Sequence, residues 1–116
     1  MINIHMAENI ILEIGGNPAN KGFSYIASAM EIFEEDKEFL YMITELYREI
    51  AKRHKTTAAG VERAIRYEKE EIMTHGDIEN FQKYFPATQK KLPNGKFLAV
   101  LYLRLLQMRG ESADAD

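Results

Sequence analysis

The chain has 116 residues, a formal net charge of −3 and no cysteine, so it has room for one domain and excludes a disulfide scaffold, a thiolate zinc site and a thiol nucleophile. An apolar fraction of 46% suffices for a packed core and argues against disorder throughout. The longest apolar run, Phe97 to Leu103, is far shorter than the roughly 18 residues of a membrane span.

Helical periodicity runs through nearly the whole sequence. Ile4, Ala7, Ile10, Ile11 and Ile14 recur at steps of three and four, and Gly15-Gly16 ends that run. A loop, Asn17-Pro18-Ala19-Asn20, precedes a second stripe of Phe23, Ile26, Ala27, Met30 and Phe33. This stripe ends in Glu31, Glu34, Glu35 and Asp36, the unfavourable charge for a helix C-terminus. Asp36 instead suits the cap of a following helix, with Glu38 in its first turn. From Phe39 to about His54 the period is kept, with room for a break that the pattern does not locate.

Lys55-Thr56-Thr57 interrupts the helical period. Val61, Ala64, Ile65 and Ile72 then share a helix face that ends at His75-Gly76. A short helical turn is expected around Ile78, Phe81 and Phe85. Pro86 to Gly95 reads as a lysine-bearing loop closed by a Pro93-Asn94-Gly95 turn, and a final helix as Lys96 to Met108. The reading is an all-α fold of about six helices: one domain over residues 1–109 and a disordered tail over 110–116. Met30, Met42, Met73 and Met108 are expected to fill the core. The final helix is apolar nearly all round, which suits a central core helix, or one that also supplies a dimer contact.

Charge is strongly segregated. Residues 48–69 carry +4 and residues 83–104 carry +5, while residues 1–47 carry −6. Polyanion binding depends on the field of one face, so these basic segments outweigh the total.

The two helices at about 44–54 and 57–75 have the pattern of a helix-turn-helix. Ile50-Ala51 provides the apolar and small pair where such helices meet, Val61 turns inward, and Thr56 or Thr57 is a suitable N-cap. At 100° per residue, Ala59, Glu62, Arg63 and Arg66 fall on the opposite face. A face of this kind enters a major groove, with arginine donating to guanine and glutamate accepting from cytosine. Glu62, Arg63 and Arg66 are therefore the candidate base contacts. Lys52, Arg53, Lys55, Thr56, Thr57, Lys90 and Lys91 are the candidate phosphate contacts. Bland roles compete: Glu62 and Arg66 are spaced for an i,i+4 pair, and Lys52, Arg53 and Lys55 suit a helix C-terminus.

The stretch IAKRHKTTAAGVERAIR resembles the DNA-binding core of the stage-zero sporulation protein A family, the sporulation response regulators. ILEIGGNPANKGFSYIASAM resembles that family's opening segment, and GDIENFQKYF with Lys96-Phe97 its closing ones. The resemblance spans roughly residues 8 to 107. It implies an all-α effector domain that binds a short asymmetric box in double-stranded DNA, often as head-to-tail pairs, and regulates transcription. In the family an arginine that contacts bases follows a serine where this chain has Ala59-Gly60, and losing one such contact costs about 1–3 kcal/mol of discrimination. Lys55 stands where the family tends to have asparagine, which tolerates a left-handed turn better. No segment reads as the family's receiver domain.

Other chemistries find little support. His5, His54 and His75 have no ligand spacing, so neither metal nor cofactor is expected; His54 reads as a half-buried turn residue. Glu34-Glu35 and Glu70-Glu71 are adjacent and face different ways on a helix, so no enzyme is expected. No signal peptide is visible, and a cytoplasmic location is expected. The alternative function is a stand-alone interaction or dimerisation module, derived from the same domain with weakened base readout.

Overall fold

In the computed structural model, which describes residues 3–85 and 91–114, Asn3 starts the first helix by accepting a hydrogen bond from the Met6 amide at 3.0 Å. This helix, α1 (Ile4–Glu13), buries Ala7, Ile10 and Ile11. It ends at Gly15, whose φ of 100° suits glycine. A Cβ there would also lie 2.4 Å from the Asp77 amide nitrogen. The same amide donates to the Ile14 carbonyl at 3.1 Å, which ties the end of α1 to a distant turn.

Helix α2 (Lys21–Glu35) is the central rod, with nearly every residue from Gly22 to Phe33 buried. Asp36 accepts from the Glu38 amide at 3.0 Å and so caps a 3₁₀ turn, Lys37–Tyr41. The break in the stretch from Phe39 to His54 falls at Met42, whose φ of −132° and ψ of 68° are non-helical, between that turn and α3 (Ile43–His54). Helix α4 (Ala58–His75) follows, then the short α5 (Ile78–Tyr84), capped by Asp77, and the long α6 (Asn94–Asp114). The fold is all-α with six helices, and no strand occurs among the described residues.

The core gathers around α2 and α6. Phe97, Leu98, Leu101, Tyr102 and Leu105 are buried, and Phe81, Phe85 and Phe97 stack in series at centroid separations of 4.5 and 5.5 Å. Helix α6 is thus a core helix along one side, while Leu103 is exposed on the other. Met30 is fully buried and Met73 partly so, but Met42 and Met108 are exposed and are not core filling. Helix α6 begins at Asn94 rather than Lys96, because Pro93 opens it: the Pro93 carbonyl accepts from the Phe97 amide at 3.0 Å. The backbone stays helical past Gly110 to Asp114. No helix among the described residues is long and apolar enough to cross a membrane.

The acidic end of α2 is neutralised from outside the helix. Glu34 accepts from the Tyr102 hydroxyl at 2.8 Å and pairs with Arg109 at 2.6 Å. Glu35 receives the Arg53 guanidinium in a two-pronged contact at 2.7 and 2.9 Å.

Candidate nucleic-acid interface

The α3–α4 corner is three residues long, and each has a definite job. Lys55 adopts the left-handed conformation, φ 56° and ψ 49°. That lets the Ala51 carbonyl accept from both the Lys55 and Thr56 amides, closing α3. Thr57 is extended, and its hydroxyl accepts from the Gly60 amide at 3.0 Å, capping α4. Inside the corner, Leu46, Ile50 and Ala51 of α3 and Val61 and Ile65 of α4 are all buried. Outside it, Ala59, Arg63 and Arg66 are exposed and Glu62 is half-buried.

The candidate base-contact residues differ in freedom. Arg63 is exposed, with no hydrogen bond or ion pair to any described residue. Arg66 lies 3.8 Å from Glu62, a loose i,i+4 pair on an exposed surface worth at most about 0.5 kcal/mol. Glu62 sits at the flank of the outer face, where the Asn94 side-chain amide approaches its carboxylate at 3.4 Å and its carbonyl at 3.3 Å.

Among the candidate phosphate contacts, Lys52, Lys55, Thr56 and Thr57 are exposed around the corner, and Lys91 is exposed before α6. Arg53 is different. Its guanidinium is held by Glu49 at 2.9 Å and by both oxygens of Glu35, which raises its pKa further and lowers that of Glu35. Arg53 therefore ties α3 to α2 and is not a free cation for phosphate. Lys90 lies outside the described residues. His54 is exposed rather than half-buried and hydrogen-bonds Ser28 at 2.7 Å.

Sequence reasoning passed over three polar groups that brace the interface from behind. Glu68 is fully buried, accepting from the Asn17 amide and the Asn20 side chain, each at 2.7 Å. Lys69 is buried and donates to the Leu92 carbonyl; burial lowers its pKa. Although its charge counts in the basic segment, its ammonium is a structural clamp. Asn94 is buried and donates to the Tyr47 hydroxyl at 3.1 Å. The signal for Glu68 and Lys69 was their place on the Val61–Ile65–Ile72 face, one turn beyond Ile65. Charged residues at core register are the ones to suspect of buried roles. Asn94 carried no such signal, since Pro93-Asn94-Gly95 has the composition of a solvent-exposed turn.

Six helices with α2 at their centre, and a tight corner presenting the outer face of α4, define an all-α helix-turn-helix domain. The chain belongs to the family described as "Sporulation initiation factor Spo0A C terminal", whose model matches residues 7–105. That family is the DNA-binding domain of a sporulation response regulator, a regulatory module and not a catalytic one. The matched span runs from α1 to the buried part of α6, so it takes in the whole corner and the helices that support it.

Proposed function

We propose that the chain is a sequence-specific transcription regulator that places the outer face of α4 in the major groove of duplex DNA. The observation that carries this reading is Arg63: exposed, unpaired among the described residues, and one turn into a helix whose N-terminus Thr57 fixes. Arg63 is assigned to base edges, with Glu62 and Arg66 as its neighbours in the groove. Lys52, Lys55, Thr56, Thr57 and Lys91 are assigned to phosphates, with Lys90 as a further candidate, and pairs of domains bind head to tail on adjacent boxes. Arg53 drops out of the phosphate set because carboxylates already hold it.

Selection of bound sequences from a random oligonucleotide pool tests the reading directly. Arg63→Ala should then weaken binding to the selected site roughly 5- to 150-fold, corresponding to about 1–3 kcal/mol, and relax preference at one base pair. Lys55→Ala should weaken binding to all duplexes alike and flatten the salt dependence. If no sequence is enriched, and binding is weak and equal on all duplexes while the chain forms a stable dimer, the domain is an interaction module and the groove assignment is wrong.

A further inference from the structure

We propose that Lys21 and Ser24 of α2 join Lys55 and Thr56 of the corner to form a seat for one DNA backbone phosphate beside α4; this rests on the duplex-binding reading above. A cleft of about 310 Å³ is lined by Lys21, Ser24, Tyr25, His54, Lys55 and Thr56. Its lining residues carry two ammonium groups, three hydroxyls and an imidazole, and no carboxylate. Neither lysine is drawn into an ion pair among the described residues. The wall is braced, because the rings of Tyr25 and His54 meet edge to face at 5.0 Å and the imidazole also bonds Ser28.

Position matches chemistry. Gly22 lies directly on α4: a Cβ there would be 2.2 Å from the Ala64 carbonyl oxygen. Lys21 and Ser24 are thereby held at one edge of the recognition helix. The opposite edge is marked by Glu62, Arg66 and Asn94, with Lys91 and Lys96 exposed nearby in the chain. A helix lying in a major groove about 12 Å wide has a phosphate backbone along each side. The cleft occupies the place of one backbone, and the start of α6 that of the other.

The test compares Lys21→Ala, Lys21→Arg and Ser24→Ala in the full chain by fluorescence anisotropy. Each is titrated with a selected site and a random duplex at several salt concentrations. Lys21→Ala should bind both duplexes roughly tenfold more weakly at low salt, with the slope against log salt reduced by about 0.9 and the ratio between the two duplexes unchanged. Lys21→Arg should restore binding, and Ser24→Ala should show a smaller uniform loss. Thermal melts of these surface variants should match the parent. If Lys21→Ala keeps the parental affinity and slope while Arg63→Ala loses site preference, the seat is wrong and the groove reading stands. If the parent chain binds no duplex, both fall. Inorganic phosphate titrated alone should bind only weakly. Saturation at micromolar concentration that blocks DNA would make the cleft a site for a small phosphate ligand and overturn the proposal.

Discussion

At the level of single residues, the corner shows how one type of side chain takes different roles through its surroundings. Lys52, Arg53 and Lys55 are alike in sequence terms, three cations around the end of one helix. Arg53 alone finds carboxylates on both α2 and its own helix, so its guanidinium is consumed within the fold. Arg53→Ala is therefore expected to lower stability by about 0.2–1 kcal/mol, the range for partly exposed ion pairs, and to leave the salt slope of DNA binding unchanged. Lys52→Ala should do the reverse. Urea melts and anisotropy titrations on the two variants check this, and a reduced salt slope in Arg53→Ala would return that residue to the phosphate set. The partner of Arg53 was not legible because Glu35 lies eighteen positions away. Periodicity relates residues along one helix and carries no information about which distant helix docks against it. The outward placement of Arg63, by contrast, follows from the 100° rotation per residue once Val61 and Ile65 are known to face inward.

At the level of elements, helix boundaries were readable where capping and turn chemistry marked them. Thr57 before α4 and Asp36 before the 3₁₀ turn are residues whose side chains satisfy otherwise unpaired amides, and both do so. The break at Met42 was not readable, since apolar residues continue across it and the change from 3₁₀ to α geometry has no composition of its own. The junction of α2 with α4 was equally hidden, because a glycine in a helix gives no sign of what approaches it. Yet Gly22 sets how closely α2 seats on α4. Gly22→Ala would force a Cβ to within 2.2 Å of the Ala64 carbonyl oxygen, a backbone atom that cannot rotate away. Overpacking of this kind costs about 1–3 kcal/mol, occasionally more, against about 1 kcal/mol that alanine gains in helix propensity. A net loss of stability is expected, accompanied by weaker DNA binding as α2 moves off α4. Chemical denaturation showing Gly22→Ala to be as stable as the parent would mean that the two helices separate at no cost.

At the level of the whole molecule, two phenols tie helices that are far apart in sequence: Tyr102 of α6 holds the acidic end of α2, and Tyr84 of α5 holds the C-terminal end of α1. Tyr102 donates to Glu34 at 2.8 Å and Tyr84 donates to Glu13 at 2.8 Å. Burial, then the bonded carboxylate, pushes each phenol up to about 12 from the ordinary 10. A group that holds its proton longer in the native state than in the unfolded chain stabilises the fold fully below the unfolded value, and that stabilisation is lost as the pH rises through the native one. The melting temperature should therefore decline across the window from pH 10 to about 12, well above the range in which the carboxylates titrate. Tyr102→Phe should cost about 1.5–3 kcal/mol at neutral pH, the usual contribution of a hydrogen bond to a charged acceptor. The same variant should lose less than the parent on going to high pH, because one of the responsible protons is gone. Circular dichroism melts of parent and variant at neutral and alkaline pH give both quantities. Parallel curves with a constant offset would show that the Tyr102 hydroxyl contributes packing alone, and that the contact between α6 and α2 does not depend on its proton.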